Sequence, residues 1–265
     1  MLTEEQLSHS VKELARRGGA RLVGIAPVER FANAPEGHKP IDLLKEAQSV
    51  ISIACVMPLG TALTVPSISY MTYGFGLLDQ KLHEIAFLLA WLLEENGYIG
   101  LPLVATGEIS SVKIIEEGPE PAVIRMGLFS HRHAAVECGL GEIGMNCALV
   151  TPQYGSRLRL VSVITTARLI PDPKLTEKIC DPKKCGFRCV KACPHKALPG
   201  NGTINQYRCL TGRLQEAGEQ NPLNRLKEYA SAHPLLRHVK IPIAPPICAR
   251  CMVCCPMGRL VATGK

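Results

Sequence analysis

Long apolar runs are missing from this sequence. Hydrophobic residues make up 46% of the 265 positions, yet charged residues, or Pro, Gly and small polar residues, interrupt every apolar stretch before it reaches the roughly 18 to 20 residues that a membrane span needs. We therefore expect no membrane partner. A basic leader is missing too: the chain starts Met1-Leu2-Thr3-Glu4-Glu5, and Arg16-Arg17 precedes Gly18-Gly19 instead of an apolar run, so a cytoplasmic protein is expected. The formal charge of +7 is scattered, with neither a Lys/Arg block nor aromatic interleaving, which argues for solvated faces and against a nucleic-acid partner. An acidic redox partner fits that charge. Internal repeats and low-complexity tracts are absent as well.

What is present begins with alternating helix and strand signals. Thr3-Glu4-Glu5-Gln6 is a capping-box pattern followed by Leu7, Val11 and Leu14 at helical spacing, which predicts a helix over residues 4 to 17. β-Branched runs predict strands at 20 to 26 and 49 to 56, and Leu82, Ile85, Leu89 and their neighbours predict a helix over 77 to 96 ending at Asn96-Gly97. Further strands are expected at 101 to 106, 146 to 151 and 158 to 166. The class is α+β. After Ile170-Pro171-Asp172-Pro173 the strand patterns fade and Cys, Pro and Gly dominate, so a boundary is expected there, between residues 1–170 and 171–265.

Twelve cysteines in a chain of this size, in a reducing compartment, do not read as a disulfide framework. Three precede residue 180, namely Cys55, Cys138 and Cys147, and read as small buried hydrophobes. The other nine crowd between 180 and 255. The first motif runs Cys180-x4-Cys185-x3-Cys189-x3-Cys193-Pro194 and the second Cys248-x2-Cys251-x3-Cys255-Pro256, with Cys254 inside it. A cubane cluster needs four converging thiolates, and in two-cluster ferredoxins the Cys before Pro reaches across to the other cluster. On that logic Cys180, Cys185, Cys189 and Cys255 hold one 4Fe-4S cluster, while Cys193, Cys209, Cys248 and Cys251 hold a second. Paired zinc sites are the competing reading, disfavoured by the two Cys-Pro endings. Cys254 is a possible replacement for a neighbour.

A glycine-rich stretch, Cys138-Gly139-Leu140-Gly141-Glu142-Ile143-Gly144, precedes Pro152-Gln153-Tyr154-Gly155-Ser156-Arg157 and Thr165-Thr166-Ala167-Arg168-Leu169. With Glu95-Asn96-Gly97-Tyr98 and Tyr207-Arg208-Cys209-Leu210, these pieces resemble the cobalamin-dependent epoxyqueuosine reductases and the catalytic domains of reductive dehalogenases. The resemblance covers most of the chain and is strongest from 130 to 256. It implies a nitroreductase-like mixed-sheet domain, then a small ferredoxin-like domain with two 4Fe-4S clusters. It also implies a corrinoid near Gly139, Leu140, Gly141, Gly144, Tyr154 and Gly155. The position where epoxyqueuosine reductases carry a catalytic Asp holds Arg125, so that proton donor is missing. Met145 replaces the Lys of the usual Gly-Lys-Asn, and neither the C-terminal repeat domain of the longer reductases nor the export signal of dehalogenases is expected.

His131 and His133, near a pKa of about 6.5 when unperturbed, are candidate proton donors. Arg132 and Arg125 are candidate anchors for a carboxylate or for corrinoid amides, and Tyr70 and Tyr73 resemble the loop that lines the pocket in these families, which implies Tyr73 as a candidate phenol donor. Three functions compete on these grounds. The first is an oxidoreductase that passes electrons to a corrinoid or a small-molecule substrate in the N-terminal domain. The second is a corrinoid-free electron carrier that reduces a partner such as a corrinoid protein, and the third is a redox sensor. The expected donor is a low-potential protein such as ferredoxin or flavodoxin.

Overall fold

Residues 2–105, 111–233 and 248–258 are described by the structure, a computed structural model. Thr3 starts α1 (Glu4–Arg17): its hydroxyl accepts from the Gln6 amide at 3.2 Å, and the Gln6 side chain accepts from the Thr3 amide at 3.0 Å. Leu7, Val11 and Ala15 then bury one helix face. The chain continues through β1 (Leu22–Pro27), α2 (Pro40–Leu43), β2 (Ser49–Val56) and α3 (Leu59–Leu63). A π-helical turn, Tyr70–Gly76, runs directly into α4 (Leu77–Glu95), the longest described helix. Next come β3 (Gly100–Pro102), β4 (Ser111–Ile115), β5 (Ala122–Met126), α5 (His131–Glu137), β6 (Glu142–Ile143), β7 (Leu149–Val150) and β8 (Leu158–Thr165).

The main sheet has the order β1-β2-β8-β3. Ile53 stands opposite Val23 on one neighbour and Val161 on the other. β2 is buried along nearly its whole length because successive side chains serve opposite layers. Ile51, Ile53 and Cys55 share one core cluster with Leu7 and Val11 of α1 and with Leu82, Ile85 and Leu89 of α4. Val50 meets Ala134 of α5 together with Phe129 and Cys138. Each such buried aliphatic side chain stabilises the fold by about 1.5–3 kcal/mol. Cys55 and Cys138 therefore sit in the core, each 1% exposed, with burial pushing the Cys55 thiol up to about 11.

Beyond β8 come α6 (Pro182–Cys185), α7 (Arg188–Lys191), α8 (Gln206–Glu216), α9 (Pro222–Ser231) and α10 (Arg250–Val253). The β4–β5 hairpin packs on α8 and α9 through Val123, Leu210, Leu214 and Leu226. Ala249 belongs to the main core, with Met252 and Val253 packed against it.

Both long helices and the strands β1, β2 and β8 lie within two residues of the expected positions. The strand expected at 101 to 106 is only Gly100–Pro102, with residue 106 outside the described residues, and that expected at 146 to 151 shortens to Leu149–Val150. Every named strand pairing among the described residues is antiparallel, whereas the resemblance implies a mixed sheet. No helix among the described residues is long and apolar enough to cross a membrane.

Candidate functional site

Short capped turns bring the first thiols together. Asp181 caps α6, its side chain accepting from the Lys184 amide at 3.0 Å, and Pro182 supplies the first helical φ. Gly186 and Phe187, at φ 63° and 56°, then reverse the chain. Cys189 of α7 returns beside Cys180 and Cys185. Burial raises the Cys180 thiol pKa most, and the neighbouring Glu142, Cys255 and Cys185 raise it further. The Cys189 thiol is raised by burial first and then by Cys180 and Cys185. The Met145 amide donates to Cys180 Sγ at 3.4 Å, while the Glu142 carboxylate accepts from the Ile179 amide at 3.0 Å and from the Cys180 amide.

A second group gathers around α8 and α10. Burial raises the Cys209 thiol, with Cys248 and Cys193 adding to the rise and Arg213 and Arg125 opposing it. Cys251 is raised by burial and then by Cys209, Cys248, Cys193 and Cys254. The Ala197 amide donates to Cys193 Sγ at 3.3 Å. None of the twelve cysteines is in a disulfide.

The sequence reading missed a charged network beside Cys248. Arg250 Nη1 donates to Glu216 Oε1 at 2.7 Å and to Cys248 Sγ at 3.5 Å, and His195 Nε2 lies 3.6 Å from the same carboxylate oxygen. His195, Glu216 and Cys248 offer ligand atoms within 4.8 Å of one another, a grouping that could hold a metal ion. Nε2 of His195 is buried with no hydrogen-bond partner. Gly212 of α8 admits this ring, since a Cβ there would lie 2.2 Å from His195 Nδ1. Arg250 between Cys248 and Cys251 was the available signal.

Other candidate residues are placed differently from the sequence reading. His131 is 7% exposed and both ring nitrogens are engaged, Nδ1 with Ser162 Oγ at 2.9 Å and Nε2 with the Val104 carbonyl at 2.8 Å. Burial pulls its pKa down to about 4, so it is a neutral core group and not a proton donor near neutrality. His133 splays to the surface, as an i, i+2 pair on a helix must, and meets Ser130 Oγ at 2.6 Å. Arg132 donates to the Cys147 carbonyl. Tyr73 is half exposed, whereas Tyr70 is buried with its phenol pKa raised by burial. Arg125 lies on β5 beside α8, its guanidinium pKa lowered by burial and then by Arg213.

The chain itself packs closely on the four glycines expected near a corrinoid. A Cβ at Gly139 would lie 2.1 Å from the Pro173 carbonyl, at Gly141 2.2 Å from that of Val150, and at Gly155 2.2 Å from that of Met257. One at Gly144 would lie 2.4 Å from a Val150 methyl. The close approach these glycines permit is to the chain itself. Leu140 and Tyr154 pack against buried core residues. Two clefts of about 430 and 550 Å³ open beside α8 and are lined by residues such as Asn205 and Thr211, not by these six residues.

No family model matches the chain. Over 99 residues it is 34% identical to epoxyqueuosine reductase of Bacillus subtilis, covering 37% of this chain and 24% of the relative. Over 246 residues it is 27% identical to tetrachloroethene reductive dehalogenase of Desulfitobacterium hafniense, covering 74% and 39%. The solved structure of the Bacillus subtilis epoxyqueuosine reductase superposes with a TM-score of 0.61 at 20% identity, over 97% of this chain and 66% of that one. The chain spans less than half the length of these two curated relatives. Its fold is the mixed α/β, nitroreductase-like fold of those structures. In sequence over part of its length, and in fold, the chain is similar to epoxyqueuosine reductases and reductive dehalogenases.

Proposed function

We propose that the chain is an iron–sulfur oxidoreductase that takes single electrons from a low-potential donor of the ferredoxin or flavodoxin class and delivers them to an acceptor. Cys180, Cys185, Cys189 and Cys255 would hold one 4Fe-4S cluster, and Cys193, Cys209, Cys248 and Cys251 the other. The observation that carries this reading is the gathering of eight thiols into two partly buried groups, in which neighbouring cysteines add to the raised pKa of Cys180 and Cys189 in the first and of Cys209 and Cys251 in the second. Thiolates crowded in dry surroundings repel until a cationic centre binds them, so the donor set fits an iron–sulfur cube. Bound clusters of the ferredoxin type supply one-electron chemistry near about −400 mV. The chain's part is to orient the sulfurs, through the Met145 amide at Cys180 and the Ala197 amide at Cys193. The division into a domain of residues 1–170 and a cluster domain of 171–265 belongs to this reading.

The family resemblance supports a corrinoid or substrate in the N-terminal domain as acceptor. The packed faces of Gly139, Gly141, Gly144 and Gly155 favour the second reading, in which the electron passes to a partner protein and no corrinoid binds here. Anaerobic purification followed by iron, sulfide, zinc and cobalt analysis tests both, before and after incubation with hydroxocobalamin and gel filtration. About eight irons per chain are expected. Retained cobalt near one per chain selects the corrinoid acceptor and its absence selects the partner. Zinc in place of iron overturns the proposal.

A further inference from the structure

We infer that Glu142 and Arg250 set the two cysteine groups at different reduction potentials, the first lower and the second higher, so that electrons run from the first group to the second. This rests on the two-cluster reading. An added electron makes a cluster more negative, so a nearby carboxylate disfavours it, while a cation or a hydrogen bond to sulfur favours it.

The two groups differ in the full charge held against a sulfur-bearing residue. At the first, the Glu142 side chain is fastened by the Ile179 and Cys180 amides and is half-buried, which holds its negative charge beside Cys180. The Met145 amide at Cys180 Sγ is a neutral donor. Lys183, Lys184 and Arg188 neighbour these cysteines in sequence, but all three are exposed, where water and salt screen them. At the second group the Arg250 guanidinium itself donates to Cys248 Sγ, a charge-assisted bond. Glu216 anchors Arg250 at 2.7 Å and offsets part of its charge, but the guanidinium is the group in contact with the sulfur. Arg213 and Arg125 add positive potential at Cys209. The guanidinium also accounts for the grouping of His195, Glu216 and Cys248, because it already supplies the cation to two of its three members.

Each transfer moves one electron. A low-potential one-electron donor reduces the first site and is itself oxidised. That electron then passes to the second site, and the first returns to its oxidised state.

The test is an EPR-monitored redox titration of the iron-loaded full chain, with Arg250→Gln, Arg250→Lys and Glu142→Gln beside it. Arg250→Gln is expected to lower the upper of two one-electron waves by about tenfold in the reduced-to-oxidised ratio, or 59 mV. Arg250→Lys keeps the charge without the fork and should recover part of that shift. Glu142→Gln, which still accepts the two amide bonds, should raise the lower wave. Should Arg250→Gln lose iron, Glu142→Gln carries the test alone. Iron-loaded variants with unmoved waves, or with both waves moved equally by either substitution, overturn the inference. A wild-type chain without about eight irons fails the two-cluster reading instead.

Discussion

In the sheet, Ile53 and Val161 face each other with no exposed surface and are flanked by further buried side chains, so each contact has several substitutes. In the segments after β8 every cysteine of the two thiol groups is half-buried, on helices of four residues or beside them, except for Cys209 within α8. The first region is held by burial shared among many residues. On the two-cluster reading, the second depends on a few sulfur atoms meeting at each cluster. Damage should therefore read out differently: as lost stability in the sheet, and as lost iron in the cysteine segments.

The sharpest way to break that contrast is Cys193→Ser. It should remove about four of about eight irons, from the second group although Cys193 lies in the first motif, and should leave the sheet's urea unfolding unchanged. Metal analysis with EPR measures it, and loss of the first group's signal alone would contradict the sharing of ligands.

A smaller effect belongs to the sheet side. His131 has its folded pKa depressed to about 4 from 6.5, so between those values the unfolded chain binds the extra proton. Stability from this group is full above pH 6.5 and falls as pH drops toward 4, by roughly 2 kcal/mol at pH 5. Urea midpoints at pH 7 and 5 should show that loss, reduced in His131→Gln. The smallest effect is Thr3→Ala, which removes the α1 cap and should cost about 1 kcal/mol with iron content unchanged. A change in cluster signal from either substitution would mean that the two regions are coupled.

The same contrast decides what could be read beforehand. α1 and α4 were legible because Leu7, Val11, Leu82, Ile85 and Leu89 keep helical spacing, and β2 because its β-branched run is long. The β4–β5 hairpin escaped because its strands are short and largely exposed on one side, gaining burial only against α8 and α9. Within the candidate site, cysteine spacing singled out the thiols since spacing constrains a local loop. The roles of His131 and the glycines depended on partners far along the chain. Ser162 and Val104 take both His131 nitrogens, and Pro173, Val150 and Met257 fill the space over Gly139, Gly141, Gly144 and Gly155. Nothing local in the sequence announces such partners.

The contact at Gly155 bears on how the molecule is made. Met257 and Gly258 press on Gly155 and Tyr154, and Arg157 Nη2 donates to the Gly258 carbonyl at 3.2 Å. A ribosome releases the chain from the N-terminus onward. The turn at 151–157 therefore emerges about a hundred residues before the segment that covers it. Throughout that interval β8 can pair with β2 while Cys180 and Cys189 still await Cys255. The covering of the 151–157 turn by Met257 and Gly258 therefore waits until the chain past residue 258 has emerged.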